Sequence, residues 1–390
     1  MQNLPLSGVR VLEFGGYISA PYAESLLSGL RPDVVKIEKP GGGDDFRRNQ
    51  GNSSPYFRQY NAGKRSLAVD LKSRDGVALI EELIPRFDVV INNLRPGKMD
   101  AIGLGHEHCV EINPQIIYVS VTGFGNGGPL EQRPAYDSMG QAFAGLYSVL
   151  SDEDSAQLSG TCLADLVTAL TTATGVLAAL VARSTSGAGQ QVETSVMEAI
   201  SALTIDAFTQ YFENGHVNPS RQSRHPQAQN FCLKTSTGDN IAIHLSSSEK
   251  FWISFLGAMD RRDLADDPRF TTYNVRVQHY LDLATIVNAE FATRPLQEWE
   301  ERLTAADVPY APVLSISEYL AHPQTEWLQL VNPEHEDLSL VRPPWRFNGA
   351  RPPRAQATPL VGEHSREIAG EVYDESRIEE LLRAGVIFAP

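Results

Sequence analysis

Short apolar runs alternate with amphipathic stretches through the first half of the chain. Residues 9–14, VRVLEF, read as a strand, and two glycines follow. A helical stretch over 21–30 leads to a second strand at 34–38, VVKIE. The helical period returns at 75–87, and strand-like runs return at 89–94, VVINNL, and 116–121, IIYVSV. Apolar strands of this kind need cover on both faces, and short strand-helix-strand crossovers favour parallel pairing. The pattern predicts an α/β sheet. A long helix rich in Ala, Leu and Thr is predicted over 165–182, and its small residues suit close packing. A turn and strand at 187–196 and a helix to about residue 212 complete this half.

The texture changes after that. Residues 213–230 are polar and broken by Pro, Gly and Asn, as expected of a linker or an active-site loop. FCLKT and IAIHL flank a Thr-Gly-Asp turn and read as a hairpin. Helices around 249–258 and 295–306 make 231–325 a small α+β domain. A proline-rich stretch at 340–358 reads as extended, and a helix at 375–384 closes the chain.

The chain has 390 residues, more than one hydrophobic core usually spans, so two domains are expected. The net charge of -15 argues against nucleic acid or anionic membrane as a partner. Residues 31–98 depart from that balance, with 13 Lys and Arg against 9 Asp and Glu, a net of +4. A basic segment in an acidic chain suits a small anionic ligand. Cys109, Cys162 and Cys232 form neither a CxxC pair nor a disulfide framework, so a reducing, cytoplasmic setting is expected. The N-terminus lacks the pattern of a secretory leader, and the most apolar helical run, 175–182, is too short to span a bilayer.

Several motifs are weak when tested. The first unit has the outline of a dinucleotide site, with Glu38 about twenty residues past the turn. Its glycine segment, GGYISA, does not match GxGxxG. GFGNGG at 123–128 matches but has no acid at the required distance, so no nicotinamide cofactor is expected. In GHEHC, His106 and His108 are two apart and share no helix face, so no metal is expected. There is no GxSxG. Asp165 stands at the start of the long helix. From the residues alone it is more readily a cap, although a carboxylate nucleophile there would be kept ionised by the helix terminus. Tyr136 and Asp137 follow the glycine-rich stretch, either as an ordinary turn or beside a ligand.

Taken in order, several segments resemble one family. They are LSGVRVLEFGGYISAPYAESLL at 6–27, VVKIEKPGGGDDFR at 34–47, NAGKRSLAVDLKSRDG at 61–76 and NNLRPGKMDAIGLG at 92–105. NPQIIYVSVTGFGNGGP at 113–129, RPAYDSMGQAFAGL at 133–146, Asp165, GAGQQVETSVMEA at 187–199 and VGEHSREI at 361–368 continue the set. Together they resemble the family III CoA-transferases, the group with formyl-CoA transferase, carnitine CoA-transferase and α-methylacyl-CoA racemase. The resemblance implies a Rossmann-like large domain built from both ends of the chain, 1–212 and 326–390, and an interlinked homodimer. It implies an acyl-CoA donor, a carboxylic acid acceptor and no permanently bound cofactor.

The resemblance also implies that Asp165 is the nucleophile, forming an aspartyl anhydride and then an aspartyl-CoA thioester. It places Ile18, Ser19, Tyr136 and Asp137 against the substrate, and Lys39, Lys64, Asn93, Leu94 and Arg95 against CoA. Lys98 joins them on charge and position. The chain departs from the family at Ala101, where Arg is usual in PGxxxR, and at Ile18, where formyl-CoA transferase has Gln. Arg31-Pro32 replaces Gly-Ala. Tyr136 stands where the racemase has a proton-moving His. Tyrosine is a poor base at neutral pH, which favours transfer over the alternative, an acyl-CoA racemase or isomerase.

Overall fold

The computed structural model describes residues 4–48, 50, 54–152, 155–332, 339–354 and 357–390. The chain divides into two compact units. The first takes Met1–Tyr147, Gln157–Phe208 and Gln329–Pro390, and the second takes Ser148–Ala156 and Thr209–Leu328. Within the second unit the Arg221 guanidinium pairs with Asp152 at 2.9 Å.

Six strands of the first unit are β1 (Arg10–Phe14), β2 (Asp33–Glu38), β3 (Arg65–Val69), β4 (Val89–Asn92), β5 (Ile117–Thr122) and β6 (Gln191–Ser195). They pair parallel in the order β3-β2-β1-β4-β5-β6. The C-terminal strand Ile387–Phe388 adds antiparallel to β3. The helices in chain order are α1 (Ser19–Ser28), α2 (Pro55–Asn61), α3 (Arg74–Leu83), α4 (Lys98–Ala101), α5 (His106–Ile112) and α6 (Asp137–Phe143). α7 (Leu146–Leu150), α8 (Leu163–Ser186) and α9 (Val196–Glu213) follow.

The period-two alternation of each strand sorts its side chains into two cores. Leu12, Val35, Val90 and Tyr118 face α3, α5 and the C-terminal helices through Leu79, Leu83, Cys109, Ile368 and Leu381. Val11, Val34, Ile91 and Val119 face α1 and α8. The two helices meet through alanines: Ala20 and Ala23 on α1, Ala169 and Ala173 on α8. α8 has 24 residues, well beyond the apolar run the sequence marks, and it is long and apolar enough to cross a membrane. Here Ala169, Ala173, Val176 and Ala179 lie in the core under the sheet.

The expected α1 range shifts two residues toward the N-terminus, because Pro21 fits the first turn, where its missing N–H has no helical partner to lose. Arg31 takes the left-handed conformation, φ +65°, that the usual glycine would adopt without strain. The proline-rich stretch runs against the first unit. Arg354 is buried there and donates to Ser25 Oγ at 2.9 Å and to the Val341 carbonyl. Residues 355–356 of that stretch lie outside the described residues.

In the second unit β7 (Asn230–Lys234), β8 (Asn240–His244) and β9 (Tyr310–Pro312) form an antiparallel sheet. Phe231, Leu233, Ile241 and Ile243 alternate inward against Trp252, Phe255, Phe291 and Trp299. β7 and β8 are the expected hairpin, and β9 is a third strand that the sequence pattern does not show.

The tight α1–α8 seam yields a prediction. Ala23 is fully buried, so Ala23→Leu inserts three carbons where no space exists. Thermal or urea unfolding should show a loss of about 1–3 kcal/mol. An unchanged midpoint would mean that the helices are not held at alanine distance.

Candidate active site

Glu13 on β1 and Lys36 on β2 are register partners in the parallel pair, and both side chains are fully buried. Lys36 Nζ lies 2.7 Å from Glu13 Oε1 and 2.9 Å from Asp44 Oδ2, and it donates to the Gly15 carbonyl at 2.7 Å. Lys64 Nζ meets the other oxygen of Glu13 and donates to Asn61 Oδ1 at 2.9 Å and the Pro21 carbonyl at 3.0 Å. Glu38 holds Arg47 through both carboxylate oxygens and accepts from Ser66 Oγ. Burial alone would neutralise Lys36, but Glu13, Asp44 and Glu38 push its pKa up. Glu24 on α1 is buried beside this cluster without a hydrogen-bond partner among the described residues, and burial, then Glu13, pushes its carboxyl up. It is held protonated.

The cluster fixes the turn after β1. Lys36 holds Gly15, Asp44 Oδ1 accepts from the Tyr17 N–H, and Asn93 clamps Gly16 through both its N–H and its carbonyl. Asn93 also donates to Ser19 Oγ at 3.0 Å. A cavity of about 590 Å³ opens beside this turn, at the carboxyl ends of β1, β2, β3 and β4. In open parallel sheets this is where ligands bind. Its lining includes Tyr17, Lys39, Lys72, Leu94, Arg95 and Lys98. Lys39 pairs with Asp45, whereas Lys72, Arg95 and Lys98 have no anionic partner among the described residues. Unpaired cations on an apolar cavity suit a ligand carrying phosphates on an apolar body.

The sequence-expected contacts separate here. Lys39, Leu94, Arg95 and Lys98 line the cavity. Lys64 does not; its ammonium is enclosed by Glu13, Asn61 and Pro21, so the expected CoA contact is corrected to a structural one. Asn93 spends its side chain on the turn. Lys72 was missed; its place just past β3 would have drawn notice had β3 been recognised as a strand. Ala101 lies on α4 near this cavity, and Lys98, one turn earlier, supplies a cation there.

A second group of residues forms around the N-terminus of α8. Asp165 is its third residue, and position 162 holds the cap, so Asp165 is not the N-cap. That task falls to Asp137, at the start of α6. Its Oδ1 accepts from the Ala164 N–H at 2.8 Å and the Asp165 N–H at 3.2 Å. Its Oδ2 accepts from the buried Gln141 amide at 2.6 Å, and Ser159 holds the other end of that amide at 2.7 Å. Asp137, expected against the substrate, thus engages both carboxylate oxygens in holding the head of α8. Gly123 lets the loop return, since a Cβ there would lie 2.4 Å from Ala135.

Asp165 contrasts with its neighbour. Its carboxylate accepts no hydrogen bond and has no ion pair among the described residues. Burial, then the charge of Asp137, pushes its pKa up to about 7. These outweigh the helix terminus, which alone would lower it. The side chain is thus a half-buried, unpartnered carboxylate that ionises near neutrality. Tyr136, 60% exposed, stands edge-on to Tyr17 at 6.0 Å, and so joins this group to the cavity wall. Ile18 is half-buried at the cap of α1, beside the clamped Ser19.

Comparison with known proteins follows the same lines. The family model described as CoA-transferase family III matches residues 6–365. A mouse succinyl-CoA:glutarate CoA-transferase is 31% identical, with 98% of this chain and 90% of that protein covered. A formyl-CoA:oxalate CoA-transferase of Escherichia coli O157:H7 is 30% identical over 96% of this chain and 98% of its own length. The crystal structure of a CAIB/BAIF family protein from Brucella suis superposes with a TM-score of 0.81 at 30% identity, over 95% of this chain and 100% of that one. The chain belongs to CoA-transferase family III, and it is a CoA-transferase.

Two predictions separate the roles assigned above. Lys64→Met should cost about 3–5 kcal/mol of stability by leaving one buried oxygen of Glu13 without its cation, with only Lys36 still paired to the carboxylate. Lys72→Met should leave unfolding unchanged and weaken CoA binding about tenfold in calorimetry. The reverse pattern would restore Lys64 as a ligand contact.

The raised pKa of Asp165 also links to stability. Between about pH 4 and 7 the native state keeps a proton that the unfolded chain has released, so stability falls as pH rises through that window. Asp165→Asn removes this effect. The variant should match the protein near pH 4 and exceed it by about 1–3 kcal/mol at pH 8, read by urea unfolding. A difference independent of pH would contradict the assignment.

Proposed function

We propose that the protein moves CoA from an acyl-CoA thioester to a carboxylic acid through covalent intermediates on Asp165. The supporting observation is the unpartnered Asp165 carboxylate, oriented by Asp137 at the head of α8 and ionising near neutrality. A nucleophile with no competing partner and a pKa close to working pH is both available and reactive.

The steps balance as follows. An Asp165 oxygen attacks the donor thioester carbonyl and expels CoA thiolate, leaving an aspartyl-acyl anhydride. The thiolate attacks the Asp165 carbonyl, forming an aspartyl-CoA thioester and releasing the donor acid. The acceptor carboxylate attacks that thioester carbonyl, giving a new anhydride and thiolate. The thiolate then attacks the acceptor carbonyl, and Asp165 is freed as the new acyl-CoA leaves. Two easier displacements thus replace each direct exchange. The anhydrides survive only where water is excluded, which the half-burial of Asp165 serves.

Lys39, Lys72, Arg95 and Lys98 hold the CoA phosphates in this reading, with Leu94 against its apolar surface. Tyr136 and Ile18 stand near the acyl end. The same reading makes the sheet-bearing unit a Rossmann-like domain and the working protein an interlinked homodimer in the cytoplasm. Family membership supports the first two, and the scattered cysteines suit a reducing cytoplasm.

Trapping with hydroxylamine tests the chemistry. Incubation with acetyl-, succinyl-, aromatic and branched acyl-CoAs, followed by peptide mass mapping, should place a hydroxamate on Asp165 with at least one donor. No α-deuterium should enter the acyl group from heavy water. An unmodified Asp165 together with α-exchange would replace transfer by the racemase chemistry.

A further inference from the structure

Arg48 is unlike the other buried or ring-stacked arginines near the site. It follows the short turn Asp45–Arg47 in the left-handed conformation, φ +48°, with its N–H on the Asp45 carbonyl at 3.0 Å. A long side chain in that conformation costs roughly 1–2 kcal/mol that glycine would avoid. The guanidinium lies over Phe46 at 4.9 Å and over Tyr56 at 4.7 Å. Its side chain has no carboxylate and no hydrogen-bond acceptor among the described residues. Its neighbour Arg47 is the opposite, buried with its donors on Glu38 and the Pro359 carbonyl. Two rings therefore hold the fork of Arg48 in place while its N–H donors stay unused.

The rings under Arg48 lead to Asp165. Phe46 stacks on Tyr60 at 6.0 Å and 5°, and the phenol of Tyr60 is pushed up by burial and by the neighbouring Cys162, Tyr22 and Asp165. Phe46 also meets Tyr17 at 5.6 Å, and Tyr17 meets Tyr136, which precedes the Asp165-orienting Asp137. Tyr17, Tyr56 and Tyr136 are 42%, 51% and 60% exposed. Exposed rings gathered in this way mark a binding surface. Its rings run from Arg48 toward Tyr60 and Tyr136, the neighbours of Asp165 and Asp137.

We propose that Arg48 is a specificity residue that reads a second, distal carboxylate on the acid handled at Asp165. The proposal rests on the reading of Asp165 given above. A short methylene chain lies along the aromatic surface, and the planar guanidinium accepts the far carboxylate through paired N–H bonds. A monocarboxylic acid of equal length makes the apolar contacts and leaves the fork empty.

Calorimetric binding to the intact protein saturated with CoA tests this without turnover. The probes are glutarate and valerate, which share five carbons and differ by one carboxylate. Glutarate should bind at least tenfold tighter. Arg48→Gly, which suits the left-handed backbone, should abolish that preference and move valerate less than twofold. Arg48→Glu should reverse it, binding 5-aminovalerate tighter than glutarate. Equal affinity of the two acids for the unmodified protein, or a preference that survives Arg48→Gly, overturns the proposal. Asp165→Asn should keep the glutarate preference, so a failed hydroxamate trap beside an intact preference removes only the nucleophile reading.

Discussion

Glu13 and Lys36 face each other across β1 and β2 with neither side chain reaching solvent, and much of the site is arranged around that pair. Burying such charges is costly unless every one is matched. Here Glu13, Asp44 and Glu38 meet Lys36, Lys64 and Arg47, and Glu24 escapes the count by keeping its proton. The matched set gains little net stability over apolar packing, but it dictates geometry. Lys36 reaches past its carboxylates to the Gly15 carbonyl, and Asp44 reaches back to the Tyr17 N–H. The turn that walls the cavity and carries the first aromatic ring is therefore set by ions beneath it. Lys64 extends the same control to the start of α1 through Pro21.

Asp137 and Asp165 show how two like residues divide their work. From the chain alone, Asp165 looks like a helix cap and Asp137 like a ligand in a loop. In the structure Asp137 caps from a distant segment, and the Asp165 carboxylate has no partner among the described residues. Capping by a residue 27 positions away leaves no local trace, since the usual pattern places the acceptor beside the N–H groups it satisfies. Local pattern favours a cap at Asp165, whereas the cap position of α8 is residue 162.

The sheet was legible for a physical reason. Strands buried on both faces read as apolar runs, and β1, β2, β4 and β5 are all of that kind. β3 begins with Arg65 and Ser66 and hides its pattern. The C-terminal strand has two residues, too few for any period. Among the cations, Lys39, Lys64 and Lys98 look alike in sequence. What separates Lys64 is a carboxylate 51 residues earlier, and that proximity exists only once β1, β2 and β3 have paired. Lys72 and Arg48 carry no motif at all, and their unpaired state appears only when their neighbours are placed.

The edge of the sheet has a consequence for synthesis. Ile387–Phe388 pairs with β3, more than 300 residues upstream, and so leaves the ribosome after every segment it joins. The second unit, by contrast, draws almost all of its residues from one continuous stretch, 209–328. During translation that later stretch has all its contacts in hand while the earlier sheet still waits for its border. The usual N-to-C order of domain completion is inverted, and the nascent chain leaves the flank of β3 unpaired for the longest time. A chaperone that shields one part of this chain would find its client there.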